Sequence, residues 1–148
     1  MLQATALIGI GLMAAVDEII FHQLLAWHHF YDRSTSDIAL LSDGLLHAAE
    51  LVAVVAGFFM WADLRDRNIA APRLAWGGFL AGAGGFQIFD GLVDHKVLRV
   101  HQVRYGVELF PYDLAWNATG IVLLILGVIL IRQAPSRDFS RSSHDAGD

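Results

Sequence analysis

The stretch from Asp17 to His29, DEIIFHQLLAWHH, puts two acids and three histidines into a segment that is otherwise strongly apolar. That segment covers about residues 4–30, and a helix needs roughly 20 residues to cross a bilayer. A charged side chain at the centre of a membrane costs roughly 2.5–3.5 kcal/mol on insertion scales. The acids and histidines therefore need partners inside the folded protein, and the rest of the chain has to supply them.

The composition indicates an integral membrane protein. The chain has 148 residues, of which 55% are hydrophobic and 17% charged, whereas a soluble domain is roughly a quarter charged. It contains no cysteine, which excludes disulfides and thiolate metal sites. No basic cluster points to nucleic acid as a partner. The start lacks the positive region of a secretory signal, so we expect the first apolar segment to be a retained helix.

Four apolar segments are long enough to span a bilayer. They cover about residues 4–30, 44–62, 74–98 and 114–131. Backbone groups in lipid must be satisfied within their own segment, so the predicted fold class is all-α. We expect one four-helix transmembrane domain over residues 1–132. The polar tail, residues 133–148, is expected to be disordered.

The basic residues give an orientation. Six lie in the middle loop and after the last helix, and four lie in the other two loops: Arg65, Arg67, Arg73, Arg132, Arg137 and Arg141 against Arg33, Lys96, Arg99 and Arg104. The excess favours a multi-pass protein of the bacterial inner membrane with both termini and the tail in the cytoplasm.

The two halves of the chain resemble each other. Asp17, His22 and His28 match Asp90, His95 and His101, since each half reads Asp, five residues on His, and six further on His. In the second helix of each half, Asp43 matches Asp113, and His47 matches Asn117. We therefore predict a four-helix bundle made of two repeated transmembrane hairpins, at about residues 1–64 and 74–132. Parallel repeats of this kind usually pack about an axis along the membrane normal.

Continuous α-helices would spread these residues over several depths. His28, His101, Asp43 and Asp113 would then meet near the outer surface, with Asp17 and Asp90 deepest. Asp17 and His28 would be roughly 16 Å apart along the helix axis, which is too far for one mononuclear site. Two layers of ligands, or one site with a polar access path, would fit that spacing.

A bound transition metal best explains so many buried polar residues. Imidazole with carboxylate suits zinc, iron, manganese or copper(II), whereas the lack of cysteine and the few methionines argue against copper(I). His47 and Glu50 also lie one helical turn apart. This spacing resembles the Glu-x-x-His motif of di-iron bundles with the two residues in reversed order, and by itself it is weak evidence. We predict the following ligands, or acids that orient them: Asp17, His22, His28, Asp43, His47, Asp90, His95, His101 and Asp113. Metal handling or redox chemistry at the outer face is the expected role.

Other functions stay open at this point. Histidines on facing helices, such as His22 with His95, could instead ligate haem b, although such a pocket has no need of the four aspartates. The polar stripe could be a path for ions or protons, or a structural network that binds the helices together. Glu18, His29 and Asp94 have no matching acid or histidine in the other half and fit that structural role equally well. A di-metal enzyme stays open without a substrate, as does a membrane partner or a second copy beside the lipid bilayer.

The sequence also resembles a known family. Asp17, His22, Gln23, Leu25, His28 and His29 fit the signature Asp-Gly-x-x-x-His-Gln-x-Leu-x-x-His-His of bacterial predicted membrane proteins of unknown function. Glu18 stands where that family usually has glycine, and Asp43-Gly-Leu-Leu-His47 fits its pattern as well. The resemblance covers the four-helix region and implies a small integral membrane protein. It implies no activity, so the metal prediction depends on the residues themselves.

Overall fold

The computed structural model describes residues 1–67, 69 and 71–135, and every regular element among them is helical. The α-helices are α1 (Leu2–Asp17), α2 (Ser36–Asp66), α3 (Pro72–Phe89) and α4 (Phe110–Arg132). Two π-helical segments directly continue α1 and α3: the first π-segment (Glu18–Leu24) and the second π-segment (Asp90–Val97). The all-α prediction is confirmed for this part of the chain. Residues 136–148 of the predicted tail lie outside the described residues.

The second helix is longer than its apolar segment indicates. α2 begins at Ser36, well before residue 44, because the polar residues after Thr35 form a helix start rather than a loop. The side chain of Thr35 accepts a hydrogen bond from the backbone N–H of Ile38 at 3.4 Å, which caps the first turn. Asp37 in that turn adds a favourable interaction with the helix dipole. Most of the stretch between the first two predicted apolar segments is therefore helical.

The four helices pack in the order α2, α1, α3, α4, with α1 and α3 in the middle. Glycines bring their backbones close together. A Cβ atom added to Gly11 would lie 2.8 Å from the Glu50 carbonyl oxygen of α2, and one on Gly84 would lie 2.6 Å from the Gly120 carbonyl oxygen of α4. Larger residues at these positions would force the helices apart. These two contacts hold each inner helix closely against the outer helix of its own half.

Three helical stretches are long and apolar enough to cross a membrane: Leu2–Leu24, Ser36–Asp66 and Phe110–Arg132. The sequence predicts a fourth span at residues 74–98, but α3 is not among those that qualify within the described residues. Its five glycines, together with Arg73 and Gln87, lower the hydropathy of its 18 residues. α3 is instead the helix packed between α1 and α4.

The outer helices expose apolar side chains. On α2, Leu51, Val52 and Phe59 are 58%, 68% and 74% exposed, and α4 likewise exposes Leu114 and Val122. Continuous apolar surface of this extent is unfavourable in water and suits contact with lipid. The polar residues of the Asp17–His29 stretch lie instead at one end of the inner helix pair, where α1 and α3 change to π-helix.

Candidate metal centre

The two π-segments stack each aspartate on its histidine. In a π-helix the backbone bonds join residues five apart, as in the bonds from Leu25 N–H to Ile20 and from Leu98 N–H to Val93. Asp17 and His22 are five residues apart, as are Asp90 and His95, so each pair lies on one face. The His22 Nε2 atom is 3.5 Å from Asp17 Oδ2, and the His95 Nε2 atom is 3.1 Å from Asp90 Oδ2. Such helical irregularities are frequent at functional sites.

A tight turn after each π-segment brings back a second histidine. Ala26 and Arg99, the residues that make these turns, have φ angles of 47° and 52°, in the left-handed region that non-glycine residues seldom adopt. The chain reverses there and returns the His28 ring to 4.4 Å from the His22 ring, centroid to centroid. The His101 ring lies 4.6 Å from the His95 ring in the same way. Each half of the chain thus contributes two adjacent imidazoles.

The predicted depth difference between Asp17 and His28 is wrong. Asp17, His22 and His28 form one group whose ligand atoms all lie within 4.8 Å of one another. The estimate of roughly 16 Å assumed a continuous α-helix. The helix ends at Leu24, and the left-handed turn at Ala26 folds His28 back towards Asp17. Ligands from both ends of the stretch therefore reach one place.

The four imidazoles form a single cluster between the halves. His28 and His101 stack face to face, with centroids 4.6 Å apart and planes 7° apart. The Nε2 atoms of His95 and His101 approach to 2.9 Å, and His101 Nδ1 is 2.8 Å from the Phe30 carbonyl oxygen. His28, His95 and His101 form a second group with ligand atoms within 4.8 Å of one another. A cation there would take nitrogen ligands from both halves.

Carboxylates surround this cluster. Asp90 Oδ1 lies 3.4 Å from His101 Nε2, while its other oxygen contacts His95, so one side chain orients two rings. The Nδ1 atom of His22 is 2.7 Å from Glu18 Oε2 and 3.3 Å from Asp43 Oδ1. Glu18, His22 and Asp43 form the third group of ligand atoms within 4.8 Å. His22 thus presents one nitrogen towards Asp17 and the other towards Glu18 and Asp43.

The residues of the cluster are buried, so any polar atom among them that lacks a partner destabilises the protein. None of the eight residues is more than 4% exposed: Asp17, Glu18, His22, His28, Asp43, Asp90, His95 and His101. Both ring nitrogens of His22 and of His28 nevertheless lack a hydrogen bond, although His28 faces the backbone of Val103 and His22 nearly touches Glu18. A buried polar atom without a partner costs about 1–3 kcal/mol. The nitrogen atoms of these rings and the nearby carboxylate oxygens point towards one another without forming hydrogen bonds. A bound cation could accept lone pairs from several of them at once.

The histidines in the turns have shifted pKa values. Burial, followed by the neighbouring imidazoles of His101, His22 and His95, lowers the pKa of His28 to about 2. The ring is therefore neutral near pH 7 and keeps the lone pair that metal coordination requires. Burial alone would lower the pKa of His101, but the hydrogen bond to Asp90 and the charge of Asp90 outweigh it and raise that pKa.

The structure brings most of the sequence-predicted residues together. Six belong to the three groups: Asp17, His22, His28, Asp43, His95 and His101. Asp90 contacts two of their rings. His47 and Asp113 lie outside the groups. The His47 side chain is 59% exposed and pairs with Glu50, and Asp113 Oδ2 lies 2.6 Å from the Lys96 ammonium.

Three buried acids are not among the predicted site residues: Glu18, Glu50 and Asp94. Glu18 belongs to the third group, and Glu50 is 4% exposed with one carboxylate oxygen unpaired. The repeat directed attention to matched residues, and Glu18 and Glu50 match Gly91 and Gly120 in the second half. The available signal was the departure of Glu18 from the family's glycine, which puts a carboxylate four residues before His22. Asp94 is buried but belongs to none of the groups, and His29 contacts Asp43 at 2.6 Å.

The described part of the chain is all-helical, has three apolar spans and contains a buried cluster of histidines and carboxylates. These features define a helical membrane protein. The chain belongs to the family described as "Predicted membrane protein (DUF2243)", whose model matches residues 4–134. That match confirms the family resemblance read from the Asp17–His29 stretch. No curated protein and no solved structure matches the chain. The family description states no activity, so the function has to be argued from the site.

Proposed function

We propose that this protein is a multi-pass membrane protein that binds one or two transition-metal ions between its two halves. The observation that carries the proposal is the convergence of three overlapping groups of ligand atoms at one end of α1 and α3. Imidazole and carboxylate ligands favour zinc, iron, manganese or copper(II). The role that fits best is metal handling or redox chemistry, and no feature of the site identifies an organic substrate.

A purely structural network explains the site less well than a metal does. Interhelical polar residues in membranes usually stabilise by hydrogen bonds that they complete with each other. Here both nitrogens of His22 and of His28 remain without such bonds, although carboxylates and imidazoles lie close by. A cation would convert these unpaired atoms into ligands and compensate the charges of Asp17, Glu18 and Asp43. The Asp90 carboxylate would then orient two ligand rings, as outer acids do in metal sites.

Haem is disfavoured by the packing of the rings. Two axial histidines have to lie on opposite faces of the porphyrin, which separates them by the plane of the macrocycle. His28 and His101 instead stack directly on each other, and the rings of His22 and His28 are in edge contact. Ligation by a single ion needs no such separation.

An ion or proton transporter is the second candidate. A cavity of about 470 Å³ is lined by Glu18, Asp43 and the partly exposed His47, so the third group has a route to the surface. If this polar path carries ions, flux into liposomes should be lost on changing Asp17 or Asp90. If the site only holds its metal, the same liposomes should show no flux above that of protein-free vesicles.

We also propose that the chain is a repeat of two hairpins with a pseudo-twofold axis between α1 and α3. Several features recur at matched positions: the π-segments, the left-handed turns at Ala26 and Arg99, and the close contacts of Gly11 and Gly84. In this proposal α3 with the second π-segment also crosses the bilayer, although it is not among the three spans that qualify by hydropathy. Four crossings put both termini in the cytoplasm of a bacterial cell and the metal centre at the outer face of the inner membrane.

Elemental analysis of the purified full chain tests the proposed function directly. The protein should be prepared without chelator and without a histidine tag, and its visible spectrum recorded. We expect about one or two equivalents of a single transition metal and no haem absorption. A protein that stays metal-free, even after dialysis against zinc, iron(II), manganese and copper(II) in turn, would rule out the metal-binding role.

Replacing Asp90 by asparagine is expected to weaken metal binding about 10- to 100-fold, because outer carboxylates orient ligand imidazoles. Asparagine keeps the size of the side chain but removes the charge beside His95 and His101. Asp94→Asn is the matched control, since Asp94 is buried in the same π-segment, whereas it is Asp90 that contacts the rings of both His95 and His101. Competition titration with a chelator of known affinity measures both variants. Equal affinities for the two would mean that Asp90 does not orient ligands.

A further inference from the structure

The two halves differ in the residue that lies beside Asp43 of α2 and its match, Asp113 of α4. Lys96 of the second half stands where the first half has Gln23, 73 positions earlier. The Lys96 ammonium lies 2.6 Å from Asp113 Oδ2. The second half therefore carries its own cation beside Asp113, and it has Gly91 where the first half has Glu18. Asp113 therefore has an ammonium group on one oxygen and no counterpart of Glu18 beside it, although its Oδ1 atom has no hydrogen bond.

The first half has the opposite arrangement. Glu18 and Asp43 both approach His22 Nδ1, and the neutral Gln23 donates to Glu18 Oε1 at 2.7 Å and lies 3.5 Å from Asp43 Oδ2. Asp43 also accepts the Phe30 N–H at 2.7 Å, and its Oδ2 atom lies 2.6 Å from the imidazole Nδ1 of His29. Two buried carboxylates thus face each other without a lysine or arginine between them. Glu18 Oε2 and His22 Nδ1 lie 2.7 Å apart without hydrogen-bond geometry, and a cation beside them could take both as ligands.

This group is also the one that the surface reaches. The cavity of about 470 Å³ is lined by Glu18, Asp43, Gln23 and His47 among others, and His47 is largely exposed. None of His28, His95 and His101 lines it. An ion could therefore enter or leave the Glu18–His22–Asp43 group without passing through the central imidazoles.

We propose that Glu18, His22 and Asp43 form a separate, exchangeable position for a divalent metal, and that Lys96 fills the equivalent position in the second half. This inference rests on the proposed function, because it assigns one of two ions to one of the groups. It makes the metal centre asymmetric. One ion is held by the imidazoles of His28, His95 and His101, which come from both halves. The exchangeable ion is held by Glu18, His22 and Asp43, which all come from the first half.

Gln23→Lys tests this directly, because it gives the first half the residue that the second half already has. The full chain is stripped of metal in detergent, reloaded with zinc alone, desalted and measured by elemental analysis. We expect Gln23→Lys to bind about one equivalent less zinc than the wild type, because its ammonium takes the place of the ion beside Asp43. Gln23→Met, which has a similar length and no charge, should bind as much zinc as the wild type.

The outcomes separate this inference from the proposed function. If the wild-type protein binds neither zinc nor any other transition metal, both the exchangeable position and the proposed function are wrong. A wild type that binds zinc, with a Gln23→Lys variant of equal stoichiometry, would overturn only the exchangeable position. Equal losses in Gln23→Met and Gln23→Lys would overturn the role of charge. If Gln23→Lys does not fold, Glu18→Gln and Asp43→Asn provide the same test, and full zinc binding in both would overturn the inference.

Discussion

Replacing His22 and His95 together with alanine should remove nearly all of the bound metal. His95 belongs to the group with His28 and His101, and His22 belongs to both of the other groups. The double variant therefore leaves none of the three groups complete. Since the loss of an outer orienting residue already weakens metal sites about 10- to 100-fold, we expect the loss of ligands to lower the metal content at least tenfold. Elemental analysis of wild type and variant, purified side by side, measures this.

His47→Ala is the control for that experiment. It also removes an imidazole, but one that is 59% exposed and belongs to none of the three groups. Its metal content should match that of the wild type. Circular dichroism and the elution volume in detergent establish that each variant is folded. Metal contents equal to wild type in a folded His22/His95 double variant would contradict the proposed site.

The residue types of the candidate metal centre could be predicted from the sequence because buried charge in an apolar segment is costly. Asp17, His22 and His28 stand out in their segment, and their repetition in the second half reduces the chance that they are incidental. The same reasoning predicted all-helical structure, since only helices satisfy the backbone of such segments in lipid. The family match independently supports a membrane protein.

The geometry of the centre could not be predicted, because it depends on backbone irregularities. Regular α-helix places Asp17 and His22 on different faces, whereas the π-segment stacks them. Glycine is the residue that usually marks a left-handed turn in a sequence, but the turn here is made by Ala26. Because alanine seldom adopts that conformation, the sequence does not predict the turn. These two features together bring His28 back to Asp17.

The two halves are less alike than the repeat in the sequence predicts. The repeat pairs Asp113 with Asp43, yet Asp113 has Lys96 as its partner. The repeat does not single out Glu18, because the matching residue in the second half is Gly91. A repeat identifies what two halves share, while the asymmetry that distinguishes one metal position from another lies in the residues that differ. Such residues have to be compared for charge, pair by pair.

Gly9→Ala should destabilise the protein and empty the metal centre at the same time. Gly9 lies where α1 crosses α3, and a Cβ atom there would overlap the carbonyl oxygen of Phe79. Backbone atoms cannot rotate away as a side chain can, so α1 and α3 would have to move apart. Overpacking of this kind costs about 1–3 kcal/mol, which exceeds the gain of about 0.8–1 kcal/mol that alanine brings to a helix.

The proposed metal centre should be sensitive to that movement because its candidate ligands follow both inner helices. His22 and His28 follow α1, whereas His95 and His101 follow α3. A shift between the helices would separate rings that now lie 4.6 Å apart, such as His28 and His101. We therefore expect a lower midpoint of thermal unfolding in detergent and a lower metal content in the same preparation. Circular dichroism measures the unfolding, and elemental analysis measures the metal.

Gly85→Ala is the matched control for Gly9→Ala. It makes the same change on α3, but the added Cβ atom would meet nothing within 4 Å. Helix propensity should leave this variant as stable as the wild type or slightly more stable. A difference between the two alanine variants therefore isolates the contact between α1 and α3. Identical unfolding midpoints and metal contents in both would mean that close packing of the inner helices does not hold the two halves of the centre together.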